Sequence, residues 1–434
     1  INVNSVSIEE GTLTMDGGIL TVAGLFVNTD AAAFIINDGA QVRQSSDNVA
    51  ATFNMDVTNW NDASSWQFIS SPVKNVMVTD FLPATGYDFM KYDGTQTGAE
   101  WYNYQAHEAE FENALVLGRG YLVSFETESM ASFQGVLNNE TSFSFSDVNA
   151  YEEGSYANFY LLGNPFTFNM DWNKVNAQGV YDGFATVNRN GSYAYHNNTE
   201  SVPVGDGFFV LAIDENPSLA YNMSKGQRDR KEDVKSINVI ASGRNGDDNV
   251  ILTFAGKEEE GFNKLDNFNK KISEIYVSEN GSSYAIKSFD ENTTEIELAF
   301  EAKEMGNYTI AIEPNGKFQG VTLVDRFTGI ETNMLLEDYK FSATSSDNPN
   351  RFIVRLDNGQ EPTANSQFVY QSNEELIVEA EGTVQIIDVM GRVVYNNEVV
   401  SDNNRIDVSS FINGTYIVRV INEEGVKAQK VVIY

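Results

Sequence analysis

Short β-branched and aromatic runs recur along this chain, with polar residues interleaved and Gly, Asn or Asp between runs. Examples are Ile237-Asn-Val-Ile-Ala, Val250-Ile-Leu-Thr-Phe254, Tyr308-Thr-Ile-Ala-Ile312 and Arg351-Phe-Ile-Val-Arg355. Successive side chains on a strand point to opposite faces, so such runs predict short strands with one buried face, joined by tight turns. The chain therefore reads as all-β. At 434 residues it is too long for one ordinary core, and three or four domains are expected.

Residues 1–46 repeat loosely: Val6-Ser-Ile8 then Gly11, Leu13-Thr-Met15 then Gly17, Leu20-Thr-Val22 then Gly24, and Phe34-Ile-Ile36 then Gly39. Strands this short with frequent glycine corners suit a β-solenoid stub, each rung turning sharply over the last. A plain β-meander is the alternative. An uncovered first rung leaves backbone edges unpaired, so a cap or further rungs upstream are expected.

Residues 47–212 hold all four tryptophans, Trp60, Trp66, Trp101 and Trp172, and they are internally duplicated. Trp66-Gln-Phe-Ile-Ser-Ser-Pro72 aligns with Phe159-Tyr-Leu-Leu-Gly-Asn-Pro165, and Gly118-Arg-Gly120-Tyr121 aligns with Gly205-Asp-Gly207-Phe208. The Pro to first Gly spacing is 46 positions in one copy and 40 in the other. Two related β-units packed face to face are predicted. Pro ends ladder pairing, and Gly-x-Gly lets the chain turn before a buried aromatic strand. Residues 213–236, with the mixed-charge run Ser224 to Lys235, read as a charged linker that lacks apolar partners. Residues 237–356 predict a second, immunoglobulin-like sandwich of seven or eight strands. Residues 357–366 are polar and read as a linker where a protease would cut.

The last stretch, residues 367–434, carries a recognisable order of motifs. Gly382 opens a strand that ends at Asp388, Gly391 and Arg392 follow, then Ile406-Asp-Val-Ser-Ser-Phe411, Gly414, Tyr416 and a closing strand with Lys430. Asp388 and Gly391 suit a tight turn, Asp by bonding the backbone ahead of it and Gly by taking a positive φ. By itself this is a small β-sandwich. Its motifs resemble the type IX secretion sorting domain of Bacteroidetes. That resemblance implies an immunoglobulin-like sorting sandwich, the outer-membrane type IX translocon and its sorting machinery as partners, and a secreted or outer-membrane-associated cell-surface location. In that family the domain is often removed after export. The 47–212 region resembles a domain found upstream of such tails. Val321-Thr-Leu-Val-Asp325, Tyr339-Lys-Phe341 and Arg351-Phe352 are similar to the sandwich that commonly precedes them.

Charge and chemistry narrow the function. The 62 acidic against 28 basic residues give a net charge of -34, which repels phosphate and argues against nucleic acid or anionic lipid. Cysteine is absent, removing disulfides, thiolate metal sites and cysteine nucleophiles. No run of 18 apolar residues forms a membrane span. The chain opens at Ile1 without a basic-then-apolar leader, so the numbering is expected to begin after processing or inside a longer polypeptide. His107 and His196 stand apart with no ligand partners nearby, so a zinc site or a Ser-His-Asp triad is not expected. No cofactor is expected.

Ca2+ is the one ion worth weighing, at Asp247-Asp248-Asn249 or Asp93-Gly94, read as oxygen-rich turns. The plainer reading of both is a turn held by its own side-chain hydrogen bonds. Trp101, Tyr102 and Tyr104 offer a sugar-stacking platform, with Trp101 the residue expected to be exposed, whereas Trp66 and Tyr121 fall at core positions. No catalytic residues are assigned. The expected function is an exported structural or adhesin-like surface protein contacting surface glycans or other cell-surface proteins. Its alternatives are a carbohydrate-binding accessory region or a hydrolase with a carboxylate pair, which a cleft holding two acids would favour.

Overall fold

The computed structural model describes residues 1–57, 66–96, 100–127, 129–148, 150–151, 158–197, 200–224, 234–254, 261–357, 369–372, 375–379, 381–388, 392–399, 404–422 and 425–433. Trp60, Gly391 and Tyr434, residues 225–233 of the predicted charged linker and residues 358–366 of the predicted second linker lie outside them. The chain is nearly all β and divides into two compact units, 1–356 and 357–434.

The first residues stack in parallel. Asn2–Val3 pairs with Gly18–Val22 and that with Ala40–Arg43, while Leu13–Met15 pairs with Phe34–Ile36 and that with Ala50–Val57. Partners such as Val6 and Phe26, or Leu13 and Phe34, share one face of adjacent rungs. These pairs are all parallel, whereas the hairpins of a meander pair antiparallel. The stack has no boundary at residue 46. Ala50–Val57 extends it on one edge and pairs antiparallel with Ser129–Leu137 on the other, so Phe34, Val42, Phe53, Phe133 and Val204 belong to one core.

The duplication is carried into the fold strand by strand. In the first copy Gln67–Ile69, Tyr121–Phe125, Tyr87–Tyr92 and Trp101–Asn103 lie in that order in one sheet; in the second, Phe159–Gly163, Gly207–Leu211, Gly183–Val187 and Tyr193–Asn197 do. The facing sheets match too: Ala50–Val57, Ser129–Leu137, Val73–Lys74 against Ser142–Phe145, Ser218–Asn222, Val175–Gln178. Even register is kept, Ile69 opposite Tyr121 and Leu162 opposite Phe208. The second copy thus ends at Asn222. Ser218–Asn222, inside the stretch read as a connector, is the central strand of its sheet, its Leu219 and Tyr221 buried.

The copies meet reciprocally. Ser70 N donates to Gly205 O at 2.6 Å and its equivalent Gly163 N donates to Gly118 O at 2.9 Å; Ile69 bridges Asp206 as Leu162 bridges Arg119. Gly118 (φ 81°) faces the Phe143 ring, and Gly205 (φ 85°) faces the Phe53 ring. This explains the repeated Gly-x-Gly: beyond the turn, a Cβ at Gly120 would lie 2.3 Å from Leu162 O.

Residues 235–356 form one continuous 11-stranded sheet. It bends so that strands distant in its order share a core, as the Phe300–Tyr308 (5.0 Å) and Tyr339–Phe352 (6.1 Å) ring contacts show. This region is fused to the second copy. Asn249 Nδ2 donates to Tyr195 O, Tyr195 N donates to Asn249 Oδ1, and Ile251, Phe262 and Ile286 join Phe159, Tyr195 and Phe209 in a shared core. A second copy this rich in large aromatics buries its outer face against a neighbour instead of exposing it to water.

The terminal unit packs Val369–Ser372, Glu375–Val378 and Asn404–Asp407 over Val393–Val399, Gly382–Asp388, Gly414–Asn422 and Gly425–Ile433, in those sheet orders. Leu376, Val384, Ile386, Ile406, Val418 and Val420 form its core.

Candidate functional site

The residues proposed as a sugar platform are split by strand alternation. Trp101 is directly opposite Tyr92, and Tyr102 is opposite Lys91. Trp101 therefore turns to one face, half-buried against Tyr92 (5.0 Å), Phe209 (6.1 Å), Phe268 (6.0 Å) and Phe68 (6.3 Å). Tyr102 faces the other way, beside His107 and under the Lys91 ammonium, and Tyr104 packs on Phe89 and Phe111. The expected three-residue platform does not form, and Trp101 is less exposed than the polar sequence around it suggested.

Trp101 instead lines a cleft of about 540 Å³ between the duplicated copies and the continuous sheet, with Tyr92, Tyr193 and Phe209 on one side. Glu100, Asp266, Glu274 and Glu301 also line it. Lys264, which also lines it, is buried, 2.7 Å from Asp248 and 2.9 Å from Asn249 O. Burial draws Lys264 below its ordinary value and Asp248 above its own, and their contact opposes both. Lys303 reaches Glu274 at 2.9 Å and Glu301 at 2.8 Å. Burial, then the nearby Glu100 and Asp93, push the Tyr92 phenol up, so its hydroxyl stays protonated.

A second cavity, about 260 Å³, joins the N-terminal stack to both copies. Asp38 from a stack turn, Gln67, Arg189 and Asp206 converge there. Asp206 is the residue between the paired glycines of the second copy. Burial, then the neighbouring Asp38, push its carboxyl up to about 7, with Arg189 opposing. Asp38 is raised by burial too, 3.8 Å from Arg189. Gln67 Oε1 is buried without a hydrogen-bond partner. No sequence signal pointed here, because Asp38 and Asp206 lie in unrelated stretches and only the packing of the stack against the second copy brings them together.

The residues weighed for Ca2+ sit otherwise than expected. Asp247, Asp248 and Asn249 are in the Gly246–Phe254 strand and not a turn; Asp248 accepts from Lys264 and from Ile275 N, and Asn249 bonds Tyr195. Asp93 is in a turn, where its Oδ1 accepts from Thr95 N and Oγ1. Among the described residues no three His, Cys, Asp or Glu side chains converge as a metal site. His107 is exposed beside Glu110, and His196 stacks on Phe184 between Thr186 and Glu200. Tyr121 is buried as expected of a core residue, while Trp66 is half-buried on Phe268.

In the terminal unit Asp388 closes the hairpin. Its carboxylate accepts from Arg392 N at 3.0 Å and Nε at 2.8 Å, and its own N donates to Arg392 O. Gly382 (φ 139°) lies where a Cβ would meet Ile421 O at 2.5 Å. Tyr416 is buried and its hydroxyl donates back to Ile412 O at 2.8 Å; Gly414 begins the same strand, and Lys430 pairs along the backbone with Ile417. These residues hold the sandwich's turns and corners. They are not convergent chemistry.

Comparison with known proteins agrees with this part of the chain. Residues 362–434 match the family model described as a secretion system C-terminal sorting domain. No curated protein matches the chain. A solved structure titled "Biofilm associated protein - BSP domain" is similar at 11% identity and a TM-score of 0.14, over 87% of this chain and 61% of that one. This chain thus spans less than two thirds of that structure's length. Among the described residues no helix is long and apolar enough to cross a membrane.

Proposed function

Because residues 362–434 are a type IX sorting domain, which directs a protein to the outside or the surface of the cell, we propose that residues 1–356 are the cargo, an adhesin-like structural body. The observation that carries this reading is the fusion of stack, duplicated copies and continuous sheet into one compact unit. Shared cores and reciprocal backbone bonds resist hinging between its parts, which suits a module held out from a surface. No catalytic step is assigned to it.

Two measurements test the proposal. Envelope and medium are probed for the chain with and without residues 362–434; the truncated form should stay inside the cell. Attachment of cells to glycan-coated and protein-coated surfaces is then compared with and without residues 1–356. Unchanged attachment on both surfaces would sink the adhesive role.

A second reading, hydrolysis by a carboxylate pair, is favoured by Asp38 and Asp206 sharing one cavity, both of them raised by burial. Its test is release of reducing sugar from polysaccharides. Activity that Asp206→Asn leaves intact would exclude this pair.

A further inference from the structure

We infer that the cleft lined by Trp101 is a saccharide site, selective for uncharged or amino sugars over acidic ones. The inference goes beyond export and adhesion, and it takes the carbohydrate-binding alternative to a specific place and ligand class.

Three features of the cleft carry it. The first is shape: about 540 Å³ falls in the range of small-ligand sites, which run from roughly 300 to 1,000 Å³. The second is its wall. Trp101 and Tyr92 meet edge to face at 66°, backed by Phe68 and Phe209. An indole locked in this way presents a fixed apolar surface to the C–H face of a pyranose without losing rotamer freedom on binding. The Tyr92 hydroxyl, protonated at neutral pH, supplies a donor beside that surface.

The third feature is charge, and it sets the selectivity. Among the described residues the lining carries four carboxylates, Glu100, Asp266, Glu274 and Glu301, and one ammonium, that of Lys264. Lys264 is committed to Asp248 and Asn249 O in the floor, Lys303 is committed to Glu274 and Glu301, and Lys270 lies 3.7 Å from Asp266. Carboxylates are acceptors only, so they match the hydroxyls of a neutral sugar and, better, the ammonium of an amino sugar, which an aromatic face also attracts. A uronate or sulfated sugar would bring a like charge to a lining whose carboxylates outnumber the lysines beside them. The same aromatic wall in a basic setting would have read the other way.

The test uses the purified 434-residue chain with glucose oligomers, glucosamine oligomers and galacturonic acid oligomers, followed by calorimetry and tryptophan fluorescence. Glucosamine and glucose oligomers should bind and galacturonate oligomers should not. Trp101→Ala should weaken binding about tenfold, the scale of one lost ring contact with a sugar face. Glu100→Gln, which spares the aromatic packing, should reduce the preference for glucosamine over glucose, and it serves if Trp101→Ala fails to fold. Failure of all three sugars to bind overturns the inference. Equal binding of galacturonate overturns the selectivity, and binding unchanged in both variants places the sugar elsewhere. None of these outcomes depends on where the chain is exported, so they stand apart from the fractionation experiment.

Discussion

Arg351 grips Asp325 with two parallel hydrogen bonds, Nε to Oδ1 at 2.9 Å and Nη2 to Oδ2 at 2.7 Å, with both side chains out of water. Tyr339 donates its hydroxyl to the same carboxylate at 2.6 Å, Phe327 N adds a further bond, and the guanidinium stacks on Phe341 at 4.7 Å. The three short motifs singled out in this region, around Asp325, Tyr339 and Arg351, thus converge on one buried ion pair.

Removing one partner leaves a buried charge uncompensated, so Arg351→Met should cost about 3–5 kcal/mol. Asp325→Leu combined with Arg351→Met should recover much of the loss, because the desolvation cost goes with the charges. Urea denaturation of the three variants decides this; a single variant as stable as the double would contradict it. The pH response has a definite sign. Burial alone would raise Asp325, but the bonds from Arg351 and Tyr339 hold it at about 2, below its ordinary 3.8. The stabilisation is therefore complete above pH 4 and lost as pH falls from about 4 through about 2.

Asp206 predicts the opposite trend. Its carboxyl is raised from 3.8 to about 7, first by burial and then by Asp38, against the pull of Arg189. The folded state holds the proton more tightly than the unfolded one. Its contribution is thus present below about pH 4 and lost as pH rises through about 7. Asp206→Asn should lack this loss, gaining on the order of 1–4 kcal/mol relative to the parent between pH 4 and pH 8. Melting curves at the two pH values measure it, and parallel shifts of parent and variant would refute it.

At the contact between the copies, Gly120→Ala places a Cβ 2.3 Å from Leu162 O, and Gly163→Ala places one 2.6 Å from Arg119 O. Each should destabilise by about 1–3 kcal/mol through backbone displacement, and the pair should be non-additive because they strain one contact. Gly306→Ala, whose nearest neighbours lie at 3.6 Å, is the control. A lowered denaturant midpoint at unchanged slope identifies the effect as lost stability.

Two features were written in the sequence because local rules fix them. Strand periodicity gave an all-β chain, since alternation depends only on neighbouring residues. The motif order from Gly382 to Lys430 marked the sorting domain, because turn glycines, Asp388 and Tyr416 hold corners whose demands are local. The duplication was legible in its repeated Pro and Gly-x-Gly. Which residues meet across it was not.

Tertiary packing decided the rest. Trp101, Tyr102 and Tyr104 are neighbours in sequence, yet the pleat sends Trp101 away from the others and into a cleft completed by residues more than 150 positions later. Asp247 to Asn249 resemble a turn, but pairing with Lys235–Gly243 makes them strand and Lys264 claims Asp248. Asp38 and Asp206 share a cavity only because the stack packs on the second copy. Sequence determined strands, turns and the export tail, whose causes lie within a few residues. The fold alone determined the clefts, because a cavity exists only between surfaces that distant parts of the chain bring together.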